Sequence, residues 1–392
     1  MTRVLMIAPT PFFSDRGCHV RIYEQARSLK GRGLELALLT YPIGLDPPGL
    51  APVRVKKLEG YERTEPGPAW PRLLLDARVL REAWRLCGSF KPDLIHAHLH
   101  EGALIARALK VRFRLPVIFD YQGSLFAESV QHGFLKPRGA MARLFKAVET
   151  FIERGADKIV VSAEAMSREL SDKGLAPEPL PDGVDPERFS PGPKNRDLAR
   201  DLGLPDDAPV AVFLGVISDY QGADIMIESA RLLRERKIRV HFLVMGYPEA
   251  EAGKEAERRG LADAMSFTGR LDYFRAHEYL RLGTLALAPK LSATESNGKV
   301  LNYMAAGLPV AAFDLPVNRE LLGEHAEWAE PDQDRARAAR SFAEAVARLL
   351  ADPERAASLG RQGRERAAER FSVAAQADKL ISLYRSLLDD SR

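Results

Sequence analysis

Between positions 289 and 314 the chain reads PKLSATESNGKVLNYMAAGLPVAAFD. Two lysines, Lys290 and Lys299, bracket a carboxylate, Glu295, and a small polar turn, Ser296-Asn297-Gly298. Cations grouped around a turn suit an anionic ligand, and a carboxylate among them suits hydroxyls. A plain surface turn does not need this grouping. A site for a charged, hydroxyl-rich ligand does. The flanking elements position it. An apolar run, Leu285–Ala288, enters the loop as a strand. Residues 299–306 follow as a helix stopped by Gly307 and Pro309, and Val310–Phe313 forms a second strand. Strand, polar loop, helix and strand make one βαβ unit. Its loop lies at a strand's carboxyl end and a helix's amino terminus, where α/β folds place ligands and free N–H groups receive anions.

The chain has 392 residues, enough for two domains of ordinary size. Its 46% hydrophobic and 28% charged content fits a soluble globular protein. A net charge of +3 is too small to argue for a nucleic-acid partner. Two cysteines, Cys18 and Cys87, imply no disulfide framework and point to a reducing compartment. The opening MTRVLMIAPTPFF reads as a buried first strand, because its apolar run is short, broken by Pro9 and Pro11, and lacks a small-residue cleavage site. No stretch approaches ~20 apolar residues. A cytoplasmic protein is expected, with peripheral contact to the inner face of a membrane left open.

The first half opens as a parallel βαβ unit. Arg3–Ala8 is a strand, 9–19 a loop, 20–30 a helix stopped by Gly31 and Gly33, and 34–40 the next strand. Gly17 in that loop can bring backbone N–H groups close to a ligand. The loop is not GxGxxG, and a strand-to-helix turn accounts for it equally well. Residues 42–70, rich in proline and glycine, read as loop with a short strand at 53–58, and 72–87 is helical. A strand at 94–97 enters His96-Ala97-His98-Leu99-His100. Alternate strand residues share a face, so three imidazoles at this spacing raise the question of zinc. Zinc needs them to converge around an open position. The strand ends near His98, and no metal is expected. Residues 117–120 form another strand, with Tyr121-Gln122-Gly123-Ser124 at its carboxyl edge, and 158–161 a further one.

Residues 134–153 carry Lys136, Arg138, Arg143 and Lys146 among Phe134, Leu144, Phe145, Val148 and Phe151. A basic amphipathic helix of this kind fits an anionic membrane surface. A domain helix with a solvated basic face fits it as well.

A boundary follows at Pro181-Asp182-Gly183-Val184-Asp185 and Pro191-Gly192-Pro193, with no regular pattern before about Ala199. A second βαβ series then starts, with strands at 210–214, 239–245 and 265–268, helices at 223–236 and 249–259, and the unit described above. Helices at 335–350, 353–370 and 373–388 close the chain. The expected fold class is α/β: two Rossmann-like doubly wound domains, at 1–190 and 191–370, with a last helix in 371–392.

Six segments, in this order and over nearly the whole length, resemble the family 4 glycosyltransferases. They are VLMIAPTPFF with Gly17, PDLIHAH, ERGADKIVVSAEAMSREL, DGVDPERFSP, FLGVISDYQGADIMIESA and ESNGKVLNYMAAGLPVAAFD. DGVDPERFSP is similar to that family's hinge signature, and the last segment to its E-x7-E donor site. The resemblance implies the GT-B fold, two domains facing each other across a cleft, with the last helix packing back on the first domain. It implies retaining transfer of a sugar from a nucleotide-diphosphate sugar to a glycan or lipid-linked acceptor. Such reactions serve glycan, glycolipid or cell-envelope polysaccharide synthesis. The nucleotide sugar is a co-substrate; no cofactor, required metal or nucleic acid is implied. The leaving nucleotide diphosphate needs stabilisation, which backbone N–H groups and a helix start can provide without a metal. Gly298 and Lys299 open that helix, and Glu295 would hold donor-sugar hydroxyls against the acceptor.

By the same resemblance Glu295 and Lys299 are the catalytic pair. Gly17, Gly215, Gln221, Lys290, Ser296, Asn297, Gly298, Val300 and Asn302 bind the donor. His98, Asp120 and Gln122 are assigned to the acceptor or sugar side; His19, with Arg21 after it, is placed there by position only, and a surface helix start fits it equally well.

Three features depart from the family's pattern. Relatives carry a second glutamate eight residues after the first; here the matching position is Asn302, seven residues after Glu295. Its amide accepts a ribose hydroxyl without charge assistance. Relatives grip the diphosphate with an arginine and a lysine in a GRLxxxKG-like loop; here Val216 and Gln221 stand in those places. The reading adopted is that Lys290 and Lys299 supply the missing charge from the neighbouring loop. Finally, Gln122 replaces a histidine before Gly123. A front-face retaining mechanism needs no base there, since the leaving phosphate takes the acceptor's proton.

The losses at 216, 221 and 302 leave a second reading open, a catalytically inactive GT-B protein acting as a binding partner or regulatory subunit. The dense polar loop around Glu295 favours the enzyme. A phosphorylase on this fold needs a Schiff-base lysine that nothing singles out, and an epimerase needs acid/base carboxylates with no evident place here.

Overall fold

The computed structural model describes residues 1–14, 17–64, 70–131, 133–292 and 296–390. The chain divides into unit 1, Met1–Gly183 with Val373–Arg392, and unit 2, Val184–Ser372. Unit 2 is therefore one continuous segment set into unit 1. Its two ends are neighbours: Val184 N–H donates to the Phe371 carbonyl at 2.8 Å, and Val184 forms a bridge with Ser372.

Unit 1 is built on strands β1 (Arg3–Ala8), β2 (Glu35–Thr40), β3 (Val53–Arg54), β4 (Leu94–His98), β5 (Val117–Tyr121), β6 (Lys158–Val161) and β7 (Pro177–Pro179). They lie in the order β3-β2-β1-β4-β5-β6-β7, all paired parallel. Every residue of β4 and β5 is buried. Near-continuous apolar runs form such strands because helices cover both sheet faces. The helices are α1 (Gly17–Gly31), α2 (Trp70–Ser89), α3 (Leu99–Phe113), α4 (Leu125–Gln131), α5 (Ala140–Glu153) and α6 (Glu164–Asp172).

Unit 2 starts with α7 (Arg196–Asp201) and continues β8 (Val210–Leu214), α8 (Ala223–Glu235), β9 (His241–Met245), α9 (Ala250–Arg258), β10 (Met265–Phe267), α10 (Ala276–Leu280) and β11 (Leu285–Ala288). It closes with α11 (Lys299–Ala305), β12 (Val310–Phe313), α12 (Pro316–Leu322), β13 (Glu327–Ala329), α13 (Arg335–Ala351) and α14 (Pro353–Arg370). The parallel order is β10-β9-β8-β11-β12-β13. Helix α13 lays Ala338, Phe342 and Val346, one helical stripe, onto a core with the fully buried Phe213, Phe242 and Phe313. Burying each phenylalanine contributes on the order of 1.5–3 kcal/mol. The chain then returns to unit 1 as α15 (Val373–Asp390). There Arg32 bonds Asp378 at 2.6 Å and the Ala374 carbonyl at 2.8 Å, tying α15 to the end of α1.

Both sheets reverse their order once, between β1 and β4 and between β8 and β11. Loops leaving the strands at a reversal diverge and open a crevice for ligands.

Three of the differences from the sequence reading lie in unit 1. The strand expected at 53–58 shrinks to Val53–Arg54. The helix expected at 134–153 begins at Ala140, because Gly139 adopts φ +121° and breaks it from α4. Helix α3 has no turn signal before it, because Leu99 itself adopts φ +63° and starts the helix straight out of β4. Among the described residues no helix is long and apolar enough to cross a membrane.

Candidate active site

At the reversal in unit 2, the loop after β8 meets the loop after β11. Gly222 adopts φ +86°, and a Cβ there would overlap the carbonyl oxygen of Pro289. Only glycine allows both the conformation and the approach. Lys299, the first residue of α11, reaches into the β8 loop. Its Nζ donates to Gln221 Oε1 at 2.8 Å and lies 4.2 Å from the centre of the Phe213 ring. A Cβ on Gly215 would sit 2.9 Å from the same Nζ. Lys290 is 4% exposed, with its Nζ 4.9 Å from the centre of the Tyr220 ring. Burial, and after it the positive charge of Lys290, lower the Lys299 pKa from 10.5 to about 7. Two neighbouring cations away from water repel each other, and an anion bound beside them relieves both.

A second chain of contacts orients Asn297. Asn318 on α12 donates through Nδ2 to the Phe313 carbonyl at 2.9 Å, which leaves its Oδ1 to accept Asn297 Nδ2 at 3.2 Å. Asn297 Oδ1 is then a buried acceptor with no donor among the described residues. Leaving such a group unmade costs about 1–3 kcal/mol, so it is suited to a ligand hydroxyl. Gly298 precedes α11, and Tyr303 Oη accepts the Leu214 N–H at 2.7 Å, fastening α11 to the end of β8. Ser296 and Asn302 are half-buried on this loop and helix. Val300 is fully buried in the unit 2 core, so its side chain faces packing and no ligand. Val216 is 41% exposed. Glu295 lies outside the described residues.

In unit 1 a second polar network forms around Asp120 on β5. Arg21 grips it with Nε at 3.0 Å and Nη2 at 2.7 Å, and its Nη1 donates to Asp182 at 3.0 Å. His98 Nδ1 lies 3.0 Å from Asp120 Oδ2, and Gln122 Nε2 donates to that oxygen at 2.9 Å. Burial pushes the Asp120 carboxyl up, but Arg21 and His98 outweigh it and hold the group far below the usual carboxylate range. His98 and Asp120 are fully buried. They stand behind the half-buried Gln122 and fix its amide, and do not themselves present a surface to a sugar. His19 is likewise turned inward. Its Nδ1 accepts the Ser14 N–H at 3.0 Å and its Nε2 lies 2.8 Å from Thr10 Oγ1, which braces the loop after β1. Gly17 opens α1 in open space, so no close approach requires glycine there.

The three histidines do not converge. His96 and His98 stack with ring centres 4.2 Å apart, and His96 Nδ1 lies 2.7 Å from Tyr384 Oη on α15. His100 belongs to another cluster, with its Nε2 3.7 Å from Glu149 Oε1. His96, His98 and Asp120 are close enough to hold an ion, but the Arg21 guanidinium already occupies the charged side of Asp120. Asp182 and Tyr303 escape sequence reasoning because their partners, Arg21 and Leu214, lie far away in the chain, and Asn318 because it acts only through Asn297 and the Phe313 carbonyl.

Residues 16–181 match a family model described as a glycosyl transferase 4-like domain, and residues 194–366 one described as glycosyl transferases group 1. The chain belongs to glycosyltransferase family 4. This glycosyltransferase is 29% identical to D-inositol 3-phosphate glycosyltransferase 2 of Catenulispora acidiphila, over 96% of this chain and 91% of that one. In fold it is similar to sucrose-phosphate synthase from Thermosynechococcus elongatus, with a TM-score of 0.80 at 19% identity over the full length of both chains. It is also similar to Anabaena HepE, solved in complex with UDP and glucose, with a TM-score of 0.76 at 16% identity over 98% of this chain and 100% of that one. The two parallel-sheet units are those of the GT-B fold.

Proposed function

We propose that this glycosyltransferase moves a sugar, with retention at the anomeric carbon, from a nucleotide-diphosphate sugar on unit 2 to a glycan or lipid-linked acceptor. One observation carries the reading. The half-buried Lys299 ammonium is held between Gly215 and Gln221, in the loop after β8 at the sheet's reversal. Charge missing at Val216 and Gln221 is thereby supplied from α11, with Lys290 beside it. Helix α11 is only two turns long, so these two side chains, more than its dipole, stabilise the leaving diphosphate. Two lysines in this role make a divalent metal unnecessary. Glu295 is assigned the donor-sugar hydroxyls, Asn297 Oδ1 accepts one more, and Asn302 a ribose hydroxyl. The leaving phosphate takes the acceptor's proton, and Gln122 hydrogen-bonds a sugar hydroxyl. Cys18 and Cys87 form no disulfide, which suits a reducing cytoplasm.

Calorimetric titration with nucleoside diphosphates, UDP first, in the presence of EDTA tests the reading. Binding by the native protein and its collapse in Lys290→Met/Lys299→Met is the expected result. Unchanged affinity in the double variant sinks the assignment of the lysines. No binding of any nucleoside diphosphate sinks the transfer reading itself.

A further inference from the structure

Helix α5 buries two carboxylates and exposes an apolar stripe. Glu149 and Glu153 lie among its buried residues with Ala142 and Ile152, whereas Met141, Leu144, Val148 and Phe151, spaced to share one helical face, are exposed. The buried side is held by specific partners. Glu149 Oε1 accepts Ser124 Oγ–H at 2.8 Å and Phe126 N–H at 3.3 Å. Lys173 Nζ lies 2.7 Å from Glu153 Oε1 and 3.6 Å from Glu149 Oε2. Turning the helix to hide its apolar stripe would strand both carboxylates. The polar interior therefore sets the orientation, and the stripe is left outward.

A contiguous apolar face of this kind marks an interaction site, and its surroundings say with what. The exposed positions of α5 include Arg143 and Lys146 and no carboxylate, and the exposed Lys136 and Arg138 lead into it. On the adjoining α3, the Arg107 guanidinium stacks 3.8 Å from the centre of the Phe151 ring, and Val111 is 82% exposed. Next to them Arg107, Lys110, Arg114 and Arg154 line a recess of about 480 Å³. Its one acidic wall, Asp157, is bonded to Lys110 at 2.6 Å, and neither Arg114 nor Arg154 has an acidic partner among the described residues. The whole chain carries only +3, so positive charge is concentrated on this face.

We propose that the outward face of α5, with the adjoining end of α3, docks on an anionic phospholipid surface. The stripe enters the boundary between headgroups and acyl chains, and the basic recess takes a lipid phosphate. A free phosphate would not need the stripe. A second copy would bring one cationic face against another, which disfavours self-association through it.

Flotation with vesicles of phosphatidylcholine, with and without phosphatidylglycerol, tests this without donor or acceptor, so the outcome is independent of the transfer chemistry. At low ionic strength the native protein should partition at least ~10-fold more onto the anionic vesicles and lose that preference as salt rises. Leu144→Asp/Val148→Asp should abolish binding, and Arg138→Gln/Arg143→Gln should remove the preference for phosphatidylglycerol, both with unchanged thermal unfolding. Equal partitioning of the native protein onto both vesicles, or undiminished binding by Leu144→Asp/Val148→Asp, overturns the proposal. So does a lipid-free oligomer that this double variant dissolves, which would make the face a contact between copies.

Discussion

Lys299 Nζ donates to Gln221 Oε1 at 2.8 Å, so the first residue of α11 fixes a cationic group in the loop after β8. Its protonation then becomes measurable. With no anion bound, Lys299 ionises near pH 7, against 10.5 in an unfolded chain. Between those values the unfolded chain holds a proton that the folded chain lacks, so this residue's contribution to stability grows as pH rises from about 7 toward 10.5. A bound diphosphate favours the ammonium and draws the proton back. At about pH 8, calorimetry in buffers of different ionisation enthalpy should show nucleoside diphosphate binding with uptake approaching one proton. Lys299→Met should show none and bind at least ~10-fold more weakly, since a charge-assisted contact of about 1.5–3 kcal/mol is gone.

Gly246→Ala should weaken unit 2 and its nucleotide site together. Gly246 adopts φ +155°, and a Cβ there would overlap the Gly215 carbonyl oxygen. The strain costs on the order of 1–3 kcal/mol, and relieving it displaces the loop that Lys299 enters. Thermal unfolding and nucleotide titration on the same sample check both effects.

Arg21→Met should be far more damaging than its position on a helix start suggests. It leaves Asp120 charged, fully buried and without its guanidinium, a loss of about 3–5 kcal/mol. Asp120→Asn in the Arg21→Met background should recover most of that loss, which a double-mutant cycle by urea unfolding reads directly.

Asn318→Leu tests the orientation of Asn297 without touching the loop. Removing the Asn318 amide releases Asn297 Nδ2 and leaves the Phe313 carbonyl without its side-chain donor. The donor KM should rise about 5- to 10-fold, in line with one hydrogen bond of about 1–1.4 kcal/mol, while the KM for the acceptor stays unchanged in steady-state assays.

The donor loops are legible in the sequence because β8, β11 and β12 are short apolar runs bounded by glycine and proline, and the polar residues between them have no structural reason to cluster. The partners are less legible. Arg21 and Asp120 lie 99 residues apart, and nothing in either neighbourhood announces the other. For α5 the apolar spacing defines a face but not its direction. The usual inference, apolar inward with a solvated basic side, fails because Ser124, Phe126 and Lys173 make the inner side polar. The family resemblance assigns His98 and Asp120 to the acceptor or sugar side, yet their mutual bond and Arg21 turn them into support for Gln122.

Unit 2 leaves and rejoins the chain at neighbouring residues. Val184 is hydrogen-bonded to Phe371, and on the unit 1 side a Cβ at Gly183 would lie 3.2 Å from the Val373 Cα. A segment with adjacent ends can be exchanged as a whole by two nearby crossovers, leaving the seven-stranded sheet and α15 intact. Recombination of residues 184–372 between relatives is thus a short evolutionary step, and the same two junctions are where a chimaera with altered nucleotide-sugar preference is best cut.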